Sequence, residues 1–400
     1  MRNPRICVFF SDTGGGHRSA AEAVEQGLLD LLNEIAPDSP SAEIIVDNGV
    51  EKSHPLNRYF VELYNYLLRH NQAGMKYYYW FIEKTKPNNS EYGYQCTKPY
   101  LLKLFKDADV DMIVSVHPMS NHYMARAIKD SGRQIKLVTV VTDPNGDFWS
   151  GWACNDADLT IVPNDLGRDR LISLGVDPER IMVTGMPVHP SFIKTPSTNR
   201  EEFIAHLGLS PNKPTVCFNA GWAGGGNTVA IYRALAASNL DVQAVFLCGH
   251  NQALYETMKR EAKNSGLRTA VLPFHDQMAD LMSAVDIMVT KAGGLTSFEG
   301  LARRLPMAID MITKPMPQEM GTATILCEQG VAHAIIKPQD IVDIVAKVKV
   351  RDPQNPMKLP SAYGLDKVGA VYDIAASVLK LAGVKLKPAA KGVSSGRSVY

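Results

Sequence analysis

The sequence lacks an excess of charge of either sign. Its 42 Lys and Arg stand against 41 Asp and Glu, so a globally basic surface for duplex nucleic acid is not present. It lacks an apolar run of membrane-spanning length, about 18 residues. The apolar stretch at 6–10 is too short for the core of a secretory leader, and no small-residue cleavage site follows it. Cysteine is scarce, six residues in 400 with no CxxC pair, which argues against a zinc ribbon or a thioredoxin-type site. Cys7, Cys217 and Cys248 stand in apolar runs and read as small buried hydrophobes, as in a reducing compartment. The expectation is a cytoplasmic protein. Also missing are the GxGxxG of dinucleotide-binding folds and the Gly-Lys-Ser/Thr of a Walker loop.

What is present is a repeated alternation. Apolar runs rich in Val, Ile, Leu and Phe occur at 6–10, 42–47, 112–116, 137–142, 159–162 and 180–183, then at 215–220, 243–248, 269–272, 287–290, 307–309 and 334–335. They are nearly continuous rather than alternating in polarity, the signature of parallel strands covered on both faces. Helical patterns such as 19–34 and 297–303 lie between them. This predicts an α/β protein of two doubly wound, Rossmann-like domains facing across a cleft. Prolines at 187, 190, 196 and 211 among Ser, Thr and Asn mark the boundary. The expected division is 1–195, 196–385 and a Lys-, Gly- and Ser-rich mobile tail at 386–400.

One segment, about 55–100, breaks the rhythm. It carries Tyr59, Phe60, Tyr64, Tyr66, Tyr77, Tyr78, Tyr79, Trp80, Phe81, Tyr92 and Tyr94, interleaved with Arg58, Arg69, Lys76, Lys84 and Lys86. Two readings stand side by side. The aromatics pack a helical insertion onto the core, or they form an acceptor or membrane-surface element, since aromatic rings with a basic fringe suit the interfacial zone of an anionic bilayer.

Loops at the ends of strands carry the chemistry. The first strand runs into Ser11-Asp12-Thr13-Gly14-Gly15-Gly16-His17 and then a helix. Glycines permit tight turning and close approach, and a helix start presents amides to an anion. A neutral imidazole here is suited to take a proton from a hydroxyl, and the positive end of the helix dipole favours that neutral form. Asp143, in Val141-Thr142-Asp143-Pro144, and His117, in Ser115-Val116-His117-Pro118, close two further strands. Asp143 fits either a partner of His17 or the acceptor, or a turn residue before proline. The second half opens with Asn219-Ala220-Gly221 and a glycine-rich turn, a candidate for a donor diphosphate. The most specific loop is Thr290-Lys291-Ala292-Gly293-Gly294-Leu295-Thr296, with a helix expected to start near Thr296 and Glu299 within it. Its amides suit phosphate, and Glu299 suits a ribose diol or a capping box with Thr296. Gln318 and Glu319 follow in a polar loop and suit sugar hydroxyls.

Ser11–His17, Val141-Thr142-Asp143, the stretch 184–192, Lys291–Thr296 with Glu299, and Gln318-Glu319 stand in the order seen in monogalactosyldiacylglycerol synthases and bacterial diglucosyldiacylglycerol synthases, which the chain resembles over roughly 5–385. That resemblance implies a GT-B fold and an inverting, metal-independent transfer of a hexose from a UDP-sugar to a lipid acceptor, diacylglycerol. It implies no cofactor and an enzyme peripheral on the inner face of an anionic membrane. His17 is then the acceptor-activating base, with Asp143 beside it and Gly15, Gly16 and His117 at the acceptor. Gly221, Lys291, Ala292, Gly293, Gly294, Leu295, Thr296, Glu299, Gln318 and Glu319 hold the donor. Two Asp-x-Asp pairs, Asp109/Asp111 and Asp156/Asp158, precede strands rather than end them and read as strand-entry turns, not metal sites. A UDP-sugar 2-epimerase-like isomerase and a non-catalytic sugar-nucleotide or lipid-binding protein are the rival readings.

Overall fold

The structure is a computed structural model that describes residues 2–35, 41–70, 74–221 and 224–385. The expected tail at 386–400 lies outside the described residues. The described residues divide into two compact units, one up to Pro190 joined by 367–385, the other Ser191–Asp366.

The first unit carries six parallel strands, β1 (Arg5–Phe9), β2 (Glu43–Asp47), β3 (Met112–Ser115), β4 (Lys136–Val140), β5 (Leu159–Val162) and β6 (Ile181–Val183), in the order β2-β1-β3-β4-β5-β6. Its helices are α1 (Gly16–Ile35), α2 (Gly49–Ser53), α3 (Pro55–His70), α4 (Met75–Thr85), α5 (Glu91–Asp107), α6 (Asn121–Ser131) and α7 (Asp165–Ser173). The second unit repeats the plan. Strands β7 (Thr215–Asn219), β8 (Gln243–Leu247), β9 (Thr269–Leu272), β10 (Ile287–Thr290), β11 (Met307–Asp310) and β12 (Ala332–Ile335) lie in the order β12-β11-β10-β7-β8-β9, again parallel. Helices α8 (Arg200–His206), α9 (Thr228–Ala236), α10 (Gln252–Asn264), α11 (Met278–Ala284), α12 (Gly294–Ala302), α13 (Pro317–Glu328) and α14 (Asp340–Val345) connect them. All twelve apolar runs are strands; the inner ones are buried on both faces, which requires unbroken apolar sequence, while the edge strands β2, β6, β9 and β12 are only partly covered.

Each sheet reverses direction once. In the first unit the chain steps from β1 out to β2 and then crosses to β3 on the other side of β1. In the second it steps from β7 through β8 to β9 and crosses to β10 on the other side of β7. Such switch points open a crevice beyond the carboxyl ends of the two central strands, where ligands of open α/β sheets bind.

The boundaries differ from expectation at one end. Helix α15 (Ala370–Leu381), expected in the second domain, packs against α1 in the first unit. Its Val371, Ile374, Ala375, Val378 and Leu379 are buried, and the Tyr372 hydroxyl donates to Asp30 at 2.9 Å. Two glycines make the fit: a Cβ on Gly27 of α1 would lie 2.9 Å from Val371, and one on Gly185 would lie 2.6 Å from Ala370. Sequence order alone gives no sign of this return.

The aromatic insertion forms α3, α4 and most of α5. Tyr94 is buried and its hydroxyl donates to Asp130 at 2.6 Å, and Tyr64 meets Tyr78 edge to face. Tyr59, Phe60, Tyr66, Tyr77, Trp80, Phe81 and Tyr92 are exposed. A few rings thus anchor the segment, while these seven face outward.

Candidate active site

The loop after β1 reaches the first switch point. Gly14 adopts a positive φ of 67°, which turns the chain into α1. Gly16 needs neither unusual backbone nor close packing; a Cβ there would meet nothing within 4 Å. His17 is the second residue of α1. Its Nδ1 lies 2.8 Å from the carbonyl oxygen of Val116, just beyond β3, and 3.4 Å from the Thr142 hydroxyl. The carbonyl can only accept, so Nδ1 carries the proton and Nε2 keeps its lone pair. Burial holds the imidazole below its usual pKa, partly opposed by the negative charge of Asp143 and the Val116 carbonyl. The ring is therefore neutral at physiological pH and presents a bare Nε2.

Two neighbours shape that ring. His117 packs edge-on to His17 with centroids 4.5 Å apart. Its Nδ1 accepts the Met119 N–H at 3.3 Å, so its Nε2–H donates to the Thr13 hydroxyl at 2.9 Å. Both nitrogens of His117 are thus used within the protein, and it supports the loop rather than offering a free nitrogen to an acceptor. Burial, then the nearby His17, keeps it well below the usual histidine pKa. Asp143 follows β4 and accepts the indole N–H of Trp152 at 2.8 Å; it makes no hydrogen bond to His17. Burial raises its pKa, opposed first by His17 and then by that indole bond. Asp143 therefore acts on His17 through its charge, while the Val116 carbonyl orients the ring.

The glycine loop is also held from its outer side. Glu51 of α2 accepts the Ser11 hydroxyl at 2.8 Å and the Asp12 N–H at 2.6 Å. The Asn65 amide of α3 accepts the Gly14 N–H and donates to the Asp12 carbonyl, each at 2.9 Å. The Arg18 guanidinium grips the Asp12 carboxylate through two bonds of 2.7–2.8 Å.

In the second unit, the loops after β7 and β10 meet at the second switch point. Helix α12 begins at Gly294, two residues before the expected start, with Gly293 as its N-cap. Thr296 is thus inside the helix, which removes the capping-box role for Glu299. A Cβ on Gly293 would meet nothing within 4 Å and its φ is an ordinary −65°; glycine there leaves open space beside the first amides of α12. Leu295 is buried, and Glu299 is nearly so, on the second turn of α12. Beside this loop, Asp310 at the end of β11 accepts the Asn227 backbone N–H at 3.0 Å and its side-chain amide at 3.0 and 3.1 Å. Gly226, at φ 82°, leaves room for Lys291, whose Cε a Cβ there would approach to 2.9 Å. Gly221 turns with φ 77° into open space. Glu319 lies in the first turn of α13 and accepts the Met316 N–H at 3.4 Å. Burial raises its pKa, opposed first by Lys291. Gln318 begins the same helix, and its side chain lies outside the described residues. After β8 and β9, His250 and Phe274 stack with centroids 4.2 Å apart, and Phe274 is exposed.

Residues 17–188 match the family model described as monogalactosyldiacylglycerol (MGDG) synthase, and residues 229–320 match the glycosyltransferase family 28 C-terminal domain. Over these two stretches the chain is similar to monogalactosyldiacylglycerol synthases and to family 28 glycosyltransferases. It is 28% identical over 359 residues to a probable chloroplastic monogalactosyldiacylglycerol synthase of Nicotiana tabacum, covering 86% of this chain and 64% of that one. It is 24% identical over 353 residues to the processive diacylglycerol beta-glucosyltransferase of Bacillus subtilis, covering 86% and 87%. The chain thus spans less than two thirds of the tobacco relative and most of the bacterial one. Among solved structures it resembles Anabaena Alr3699/HepE in complex with UDP-glucose, with a TM-score of 0.56, 16% identity and coverage of 94% and 99%. It also resembles the UDP-GlcNAc 2-epimerase of Methanocaldococcus jannaschii, with a TM-score of 0.56, 10% identity and coverage of 95% and 100%. At these identities the structural likeness establishes the GT-B fold.

The first unit brings Gly15, Gly16, His17, His117 and Asp143 to one end of its sheet. The second unit brings Gly221, Lys291, Ala292, Gly293, Gly294, Leu295, Thr296, Glu299 and the backbone of Gln318 and Glu319 to loops or helix starts at its strand ends. Sequence reasoning missed Trp152, Glu51, Asn65 and Asp310, none of which stands in a glycine-rich motif; each acts by reaching a loop other than its own. The Asp-x-Asp pairs sit at the amino ends of β3 and β5 in ion pairs: Asp109 and Asp111 with Arg2, Asp156 with Lys129, Asp158 with Lys136.

Proposed function

We propose that this chain transfers a hexose from a UDP-sugar to the hydroxyl of a lipid, diacylglycerol, with inversion and without a resident metal or cofactor. The observation that carries the reading is His17: a neutral imidazole, fixed through Nδ1–H to the Val116 carbonyl, which leaves Nε2 unprotonated. In this reading Nε2 removes the hydroxyl proton as the acceptor oxygen bonds to the anomeric carbon, and the bond from that carbon to the diphosphate breaks with its electron pair leaving on UDP. The Asp143 charge favours the imidazolium that forms. The amides at the start of α12, with Lys291 nearby, stabilise the leaving diphosphate by fixed electrostatics. Glu299 takes the ribose diol, Gln318 and Glu319 the sugar hydroxyls, and the exposed Phe274 ring offers a face for the nucleobase.

The exposed rings Tyr59, Phe60, Tyr66, Tyr77, Trp80 and Phe81, with Arg58, Lys84 and Lys86 among them, supply the element that meets an anionic membrane surface. No helix among the described residues is long and apolar enough to cross a membrane, and interfacial docking requires none.

The deciding experiment is product analysis with UDP-glucose, UDP-galactose or UDP-N-acetylglucosamine, each with and without diacylglycerol in anionic vesicles. A glycolipid formed from one donor supports the reading and names the sugar. An epimerised nucleotide sugar formed without lipid replaces it with an isomerase; no product with any donor removes diacylglycerol as the acceptor.

A further inference from the structure

We propose that α3 is a two-sided transmission element, in which Asn65 couples engagement of the helix's exposed aromatic face to the geometry of the loop leading into His17. This rests on the membrane-surface part of the proposed function. Along α3, Leu56, Tyr59 and Tyr66 stand at helical spacing on one stripe and are all exposed. Asn57, Val61 and Asn65, four residues apart, form the opposite, inward stripe. Asn57 donates to the Ser53 hydroxyl at 2.8 Å, Val61 is buried, and Asn65 bridges the Asp12 carbonyl and the Gly14 N–H.

Those two bonds span Thr13, whose hydroxyl receives the His117 Nε2–H at 2.9 Å. The His117 ring in turn packs against the His17 ring. Glu51, on the neighbouring α2, fixes Ser11 and Asp12 from the same side. A shift of α3 is therefore carried by one amide into the backbone of residues 12–14 and through Thr13 to the pair of imidazoles. An aromatic face alone needs no such inward clamp, and a glycine loop alone needs no clamp from a surface helix. Asn65 is a positioning residue: its amide acts on His17 only through the loop.

The test uses the full chain with vesicles of phosphatidylglycerol and diacylglycerol. Three quantities are read: amide hydrogen exchange at Gly14 with and without vesicles, turnover on vesicle-borne diacylglycerol, and UDP affinity. In the native protein, vesicles are expected to slow Gly14 exchange. In Asn65→Ala that response disappears and turnover falls about tenfold to a hundredfold, with UDP affinity and vesicle binding unchanged. Asn65→Asp keeps an acceptor for the Gly14 N–H, loses the donor to Asp12, and falls between. Native Gly14 exchange that ignores vesicles, bound or unbound, overturns the coupling, as does Asn65→Ala with native turnover. Should Asn65→Ala not fold, the exchange experiment on the native protein decides. A vesicle response in a protein that forms no glycolipid sinks the transferase reading and leaves the coupling standing.

Discussion

Replacing His17 by alanine tests the base directly. In the folded protein burial holds the imidazole below its ordinary pKa near 6.5, so at pH 7.5 nearly every molecule carries the base in its active, neutral form. The substitution then removes the whole of the general-base contribution, about 10²–10⁴-fold in turnover, or about 2.7–5.4 kcal/mol of barrier. It also removes the hydrogen bond to the Val116 carbonyl and the longer contact with the Thr142 hydroxyl, together worth about 1–2 kcal/mol of stability, too little to unfold a domain of this size. The donor residues proposed here all lie in the second unit, so UDP affinity is expected to stay within about twofold, since no bond to UDP is removed. The pH profile sharpens the case. The active form exists above the lowered His17 pKa, so kcat/KM of the native protein rises with pH along a limb lying below 6.5, and in His17→Ala that limb is gone. Steady-state kinetics from pH 5 to 8 and titration calorimetry with UDP give both readouts. A loss of turnover under fivefold, or a collapse of UDP affinity, would refute the base assignment.

Glu299→Ala is expected to weaken UDP binding by about 1.5–3 kcal/mol, the size of a charge-assisted hydrogen bond; an unchanged calorimetric titration removes the ribose role. Asp286→Ala is expected to cost about 3–5 kcal/mol of stability, because the fully buried carboxylate accepts from Arg200 at 2.9 and 3.1 Å and from the backbone of Thr215 and Arg351 at 2.7 Å each. A shift below 1 kcal/mol in urea unfolding contradicts that network. His17 and His117 both have lowered pKa values, so as pH falls below about 6.5 the unfolded chain takes up protons that the folded chain refuses. Stability therefore falls on that side, and a urea midpoint that does not drop between pH 7 and 5.5 argues against burial of the neutral pair.

The sequence by itself determined the twelve strands, because an inner strand covered on both faces must be apolar throughout and even the half-covered edge strands keep a short apolar run, a pattern that is local. It also determined the glycine loops that follow β1, β7 and β10, since a tight turn into a helix start is written in consecutive residues. Helix starts were less legible: α1 and α12 begin at Gly16 and Gly294, inside the glycine runs, because a glycine in helical conformation bears no mark that separates it from one in a turn. Tertiary structure alone decided strand order, and with it the switch points that put the β1 and β3 loops together and the β7 and β10 loops together. It alone sent α15 back to the first unit, through close approaches at Gly27 and Gly185. It alone gave His17 its tautomer and Asp143 its indole partner, because Val116 and Trp152 act through positions fixed by packing rather than by spacing along the chain.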